Sequence, residues 1–400
     1  MIKIFITIRW RDILFALLFI TIIGISYAVY RTTYASTDFE ITDDLSGYIF
    51  PSLILSTATT NASVIQPTDT PYVGNPKSSI AVRIRSRQRN SRVRIEVGQS
   101  PFFASSVSEF VLPRPHTLYT IYPDIIWNYE ALRNLKQAEP VSVVVSATIG
   151  KVHLGQRVRT FSVRSLNECL LGYIKGEGKQ ARFISTKQLF AAYVNEESPY
   201  IDKILREALN THIIPSFSGY QKDDSAFVCR QVYALWNVLQ KRHFQYSSVS
   251  YSSLSSNVVY SQRVRTMSDA LNSSQINCVD GSVLFASLMR AINIDPVLVR
   301  IPGHMFVGFY TDNKHKHINF LETTMIGNVN WNDFFPNGNL DSTSARMSQN
   351  EISHLTFQKS IEYANKKYKS NYQHFKNKHS RYVFLEISKA LRRKIQSIGK

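Results

Sequence analysis

Cysteine is scarce, with three in 400 residues. An odd and sparse count excludes a disulfide framework, although Cys169 and Cys229 are free to pair if the fold brings them together in an oxidising compartment; otherwise both are small buried core residues. Acidic residues are also few, 29 against 47 lysines and arginines, which leaves a net charge of +18. That excess points toward anionic surroundings such as phospholipid head groups, acidic polymers or nucleic acid, and by itself says nothing about fold. Nucleic acid is the weaker choice, because no zinc-finger spacing, RNP-like aromatic strand or basic heptad helix accompanies the charge. No cofactor motif is found, and no nucleic acid is expected as a partner. Hydrophobic residues at 44% and aromatics at 12% exclude a disordered chain.

Long apolar runs are absent but for one, Ile13 to Tyr30, preceded by Lys3, Arg9 and Arg11 and followed by Arg31. Its length is just enough for a membrane-spanning helix, and the basic residues before it place everything that follows outside the cytoplasm. The expectation is a single-pass membrane anchor over residues 1–35, with the bulk of the chain extracytoplasmic or periplasmic. A cleaved signal ending near Thr33-Tyr34-Ala35 is the alternative.

Residues 36–79, rich in Ser, Thr, Pro and Asn, read as a linker. From 80 to 165 the period is two: Val82 and Ile84 alternate with Arg83 and Arg85, Val93, Ile95 and Val97 with Arg94 and Glu96, and Val141 to Ile149 repeats the pattern. Such strands predict an antiparallel β-sandwich-like domain whose arginine-rich faces are either solvated or dock on an acidic surface. The period turns helical from about residue 186. Helices are expected at 188–194, 200–209 and 227–240, the last capped by Asp223, Asp224 or Ser225. The Ser- and Tyr-rich piece from Gln245 to Tyr260 reads as a loop, and 346–400 as a basic helical extension holding one strand, Tyr382 to Ile387.

The richest chemistry lies between Gln275 and Thr324. Cys278 stands where a polar bend leads into a buried helix, Val283 to Ile292. A strand follows from Val297 to Ile301, then a Pro302-Gly303 turn, then His304 opening a second strand, Met305 to Tyr310. A further strand ends at Glu322. A thiol is a poor nucleophile while protonated, and the positive end of a helix together with an adjacent imidazolium stabilises the thiolate. Glu322 would orient the imidazole, and the Cys278 backbone N–H with a donor from Gln275, Trp236 or Tyr246 would form an oxyanion hole. Asp280 repels a negative sulfur and is read as structural. A metal site built from Cys278, His304, His315 and His317 is the minor alternative, since lysines flank the two later histidines.

The run NCVDGSVLFASLMRAINIDPVLVR, followed by GHMFVGFY and FLETT, resembles the transglutaminase-like superfamily over roughly Phe227 to Met325. The resemblance implies an α+β fold with a papain-like transglutaminase core over residues 186–345, Cys278 as nucleophile, His304 as base and Glu322 as third member. Trp236 and Tyr246 are similar to aromatic positions that precede the nucleophile in bacterial members. Glu322 stands where most of the family has Asp, Thr323 where it has Pro, and Met305-Phe306 where it often has a small residue and Trp. What the resemblance implies is a thiol enzyme acting on amide or peptide bonds, with hydrolysis favoured over acyl transfer. Its partner would be a peptide or protein amide substrate, an envelope component among the candidates. A non-catalytic scaffold or binding module that keeps the fold is the competing expectation, to be separated by whether His304 reaches both Cys278 and Glu322.

Overall fold

The computed structural model describes residues 10–30, 38–66, 70–176, 178–247, 254–327, 330–336, 340, 344 and 346–399. The chain is α+β, with several sheets, and divides into two compact units. One comprises residues 1–47, 62–128 and 140–161; the other comprises 48–61, 129–139 and 162–400.

The apolar run near the N-terminus forms helix α1, Trp10–Tyr30, with its side chains from Ile13 to Val29 exposed. Among the described residues, no helix is long and apolar enough to cross a membrane. The expected single-pass anchor is thereby corrected, and with it the extracytoplasmic placement that rested on it. Lys3, Arg9, Arg31 and the Thr33-Tyr34-Ala35 site lie outside the described residues.

In the first unit, β1 (Phe39–Thr42), β2 (Tyr72–Gly74), β3 (Ala81–Arg85), β4 (Ser91–Val97), β5 (Ser106–Leu112), β6 (Leu118–Tyr122), β7 (Glu139–Ile149) and β8 (Val152–Val163) build two sheets. One runs β1-β3-β6-β2 and the other contains β8-β7-β4-β5. The period-two pattern buries Val82, Ile84, Val93, Ile95 and Val97 and leaves the arginines between them in water. Those arginines are paired locally: Arg83 with Glu40, Arg94 with Glu96 and Glu109, and Arg157 with Asp38. The stretch 36–79 is therefore not a linker. Phe39 and Ile41 are buried in β1, which pairs with β3, and residues 51–56 form a short helix that buries Ile54 and Leu55 in the second unit. Its polar composition hid the buried Phe39, Ile41, Ile54 and Leu55.

The second unit holds β9 (Glu168–Lys175), β10 (Arg182–Ser185), α2 (Pro199–Leu209), α3 (Ser225–Gln240), β11 (Gln245–Tyr246), β12 (Val259–Arg263), α4 (Met267–Ser273), β13 (Gln275–Ile276) and α5 (Cys278–Ala291). These are followed by β14 (Pro296–Ile301), β15 (His304–Tyr310), β16 (Ile318–Leu321), α6 (Gln349–Lys376), β17 (Val383–Glu386) and α7 (Lys389–Arg392). Residues 187–193, expected as a helix, form a 3-10 helix, and Asp224 caps α3 by accepting from the Ala226 N–H. The Ser- and Tyr-rich loop carries β11 at one end and β12 at the other, with 248–253 outside the described residues. An antiparallel sheet of order β16-β15-β14-β17 forms the frame of the unit. Val297, Val299, Ile301, Phe306 and Phe320 form a core with Ala364 of α6, where Tyr368 stacks on Phe320 at 4.1 Å between ring centroids. Helix α5 packs against β14 and β15.

The C-terminal residues do not form a separate extension. β17 pairs with β14 in register from Val297–Glu386 to Arg300–Val383, and α6 packs on β16. Nor is the terminal basic run only a solvated face. The Arg392 guanidinium bonds the carbonyls of Ala191 and Val194 and the Glu196 carboxylate, so its long stem is buried where a charge-only reading put it in water.

Candidate active site

The start of α5 is fixed before its chemistry begins. Asn277 is the N-cap, its side chain accepting from the backbone N–H groups of Val279 (2.9 Å) and Asp280 (2.8 Å). Asp280 closes the capping box by accepting from the Asn277 N–H at 3.0 Å. The same buried carboxylate accepts from the Arg265 backbone N–H at 2.7 Å and from its Nη1 at 2.6 Å. Burial pushes the Asp280 carboxyl up, and the two Arg265 bonds and the Asn277 N–H oppose that shift. Asp280 is thus structural. Arg265→Leu would leave this carboxylate buried without its cation, at a cost of about 3–5 kcal/mol, which a urea unfolding midpoint would record.

Cys278 therefore occupies the first turn of a capped helix, buried at 7% exposure. Among the described residues its backbone N–H has no acceptor, as befits the first N–H of a helix. Three residues on, a Cβ on Gly281 would lie 2.6 Å from Thr323 Oγ1. Glycine at this position lets the Glu322–Thr323 segment approach the helix closely.

His304 is set by the hairpin between β14 and β15. Gly303 takes φ +76°, a left-handed conformation that glycine adopts without a steric cost, and Ile301 pairs with His304 across the turn. His304 Nε2 lies 2.6 Å from Glu322 Oε2, and the imidazole lines one cleft with the Cys278 thiol. With Nε2 committed to the carboxylate, Nδ1 is the nitrogen left for sulfur. Burial alone would pull the imidazole down, but its interactions with the neighbouring Cys278 and Glu322 outweigh that and raise it to about 10. His304 is cationic through neutral pH.

Glu322 follows β16 and is fully buried. Its second oxygen, Oε1, accepts from the Thr324 backbone N–H (3.2 Å) and hydroxyl (2.7 Å), while its own N–H donates to Ser360 Oγ at 3.0 Å. Both carboxylate oxygens are held, so the imidazole has one orientation available.

Of the three side chains considered for an oxyanion hole, only Tyr246 is near the reacting groups. β11 pairs with β13 and sets Tyr246 beside Ile276. Its hydroxyl is pushed up by burial, then by the charges of Cys278 and Glu322. Trp236 is fully buried elsewhere, its Nε1 donating to Thr356 Oγ1 at 3.2 Å and its ring 5.7 Å from that of Phe285. Gln275 is exposed, and no hydrogen bond carries its side chain toward the thiol.

The metal alternative fails on placement. His315 stacks on Tyr310 and bonds Asp295 at 3.0 Å, and His317 bonds Asp312 at 3.2 Å. Among the described residues no group of three or more His, Cys, Asp or Glu converges as a metal site would require. The other cysteines are free thiols. Burial pushes both Cys169 and Cys229 up, and Asn319 donates to the sulfur of Cys229 at 3.3 Å.

Beside Cys278 and His304 opens a cleft of about 250 Å³, lined also by Leu171, Ser261, Gln262, Arg300 and Met305. Arg265, Thr324, Ser360 and Arg300 were not among the residues expected to matter. Arg300 left a signal, being the one charge in the apolar strand PVLVRI, and Thr324 sits in the LETT run. Ser360 left none, because it arrives from α6. No family model matches the chain, and no curated protein is similar to it at a significant level.

Proposed function

We propose that this protein is a thiol enzyme that hydrolyses amide or peptide bonds through Cys278, His304 and Glu322 on a transglutaminase-like, papain-related core. In this reading the first unit is a β-sandwich-like accessory domain. The observation that carries it is the 2.6 Å bond between His304 and the buried Glu322 carboxylate, on an imidazole that lines one open cleft with Cys278. A His304 out of reach of both Cys278 and Glu322 in a closed pocket would favour a non-catalytic module, and the bond to Glu322 beside an open cleft supports the enzyme reading instead.

The Cys278 sulfur, as thiolate, attacks the substrate carbonyl carbon. The oxyanion that forms is held by the Cys278 N–H and the Tyr246 hydroxyl. Collapse breaks the C–N bond as His304 gives its proton to the departing nitrogen, leaving a thioester and a neutral imidazole. Water then attacks the thioester as His304 takes one of its protons. The C–S bond breaks, the carboxylic product leaves, and the thiolate–imidazolium pair is restored. Glu322 stays ionised throughout and holds Nε2–H, so that Nδ1 carries the travelling proton.

The test is alkylation by iodoacetamide at pH 7 with the labelled residue found by mass spectrometry. Cys278 is expected to react at least about tenfold faster than the thiol of an unstructured peptide, with Cys169 and Cys229 far behind. A Cys278 rate no greater than that of the peptide would overturn the reading.

A further inference from the structure

Resting on that reading, we infer that Arg300 is a specificity residue that binds a carboxylate of the substrate next to the bond being cleaved. Arg300 occupies an inner strand, β14, between Val299 and Ile301, which point into the apolar core with α6. Alternation along the strand turns Arg300 the other way, and with its cross-strand partner Met305 it lines the cleft that holds Cys278 and His304. A long cationic side chain in a run of otherwise apolar residues is costly to bury without a partner.

No partner is present among the described residues: no hydrogen bond and no ion pair engages the Arg300 guanidinium. The charged groups near it are cations or belong to the site. Burial, and then the charge of Arg300, pull the Lys187 amine down, and the lysine bonds the Ser380 carbonyl. His304 is cationic, and the buried carboxylates around the site are already committed, Glu322 to His304 and Thr324 and Asp280 to Arg265. Burial pulls the Arg300 guanidinium down and the Cys278 sulfur lifts it, which places the cation within electrostatic reach of the nucleophile. An arginine fork so placed suits the planar, two-oxygen geometry of a carboxylate.

The experiment needs no knowledge of the natural substrate. Iodoacetate and iodoacetamide deliver the same carbon to sulfur and differ in the carboxylate. The ratio of their second-order rates at Cys278 is measured in the intact protein, in Arg300→Gln and in Arg300→Lys, with thermal melting to establish that each variant is folded. The iodoacetate-to-iodoacetamide ratio is expected to fall about tenfold in Arg300→Gln and by less in Arg300→Lys, as loss of a charge-assisted pair implies. An equal ratio in all three proteins would sink the inference, whereas slow alkylation by iodoacetamide itself would sink the reading beneath it. The source of the carboxylate is read from protection of Cys278. A short alanine peptide with a free C-terminus protects if the group is a terminal carboxylate, and an amidated peptide ending in glutamate protects if it is a side chain. Protection by neither counts against the proposal.

Discussion

Cys278→Ser is expected to lower hydrolysis of amide substrates by at least about 10³-fold while leaving the fold in place. Serine fills nearly the same volume at a buried position, and the helix cap is made by Asn277 and Asp280 rather than by the thiol. The loss would follow from chemistry alone. An alcohol is far harder to ionise than a thiol, and an imidazole tuned to stay protonated beside sulfur, as His304 is, makes a weak base toward a hydroxyl. Amine release from a panel of acylated peptides is the measurement, and turnover within tenfold of the parent protein would show that sulfur is not the nucleophile. In the same variant the fast iodoacetamide label should vanish, leaving only the slow reaction of Cys169 and Cys229.

Glu322→Gln carries the second large effect, a fall in turnover of about 10³–10⁴ with an altered pH response. The carboxylate receives donors on both oxygens, His304 on one and Thr324 on the other. An amide has one acceptor and one donor, so either the imidazole or the Thr324 groups must face an N–H in a fully buried site. With its anion gone, His304 loses part of what raises it to about 10. The alkaline limb of Cys278 alkylation should then move toward neutrality.

Stability supplies an independent check. A histidine raised in the folded state from its ordinary value near 6.5 contributes stability in full below about 6.5 and loses it as pH rises through about 10. The stability gap between the parent protein and Glu322→Gln should therefore be widest below pH 6.5 and narrow toward pH 10. A gap independent of pH in urea titrations would mean that the carboxylate acts as a structural hydrogen-bond acceptor only.

Much of the candidate site was legible because its members occupy places that local sequence punctuates. A polar bend before an apolar run marked a helix near Cys278, although that helix begins at Cys278 rather than at Val283; Pro302-Gly303 spells a turn, and His304 and Glu322 adjoin short apolar strands. The order thiol, imidazole, carboxylate could be read from these. What was not legible came from elsewhere in the chain. The polar 36–79 stretch reads as a linker until Phe39 and Ile41 are seen buried in a strand beside β3. Trp236 read as a site residue because an aromatic before the nucleophile is suggestive. Its indole instead bonds Thr356, 120 residues away, a pairing no local pattern encodes. The apolar run of α1 suggested an anchor by composition, and among the described residues no helix is long and apolar enough to cross a membrane.

The sequence by itself determined the periods, caps and turns, and hence which residues start helices and strands, because these depend on contacts within a few positions. Only the tertiary structure decided which side chains meet. Glu322 reaches His304 because Gly281 allows the chain to close on α5 and because Thr324 and Ser360 fix the carboxylate and its backbone. Arg300 faces the thiol because one register of β14 against β15 turns it out of the core and into the cleft. Such meetings depend on strand register and helix packing, which arise from burial summed over the whole unit rather than from any local run of residues.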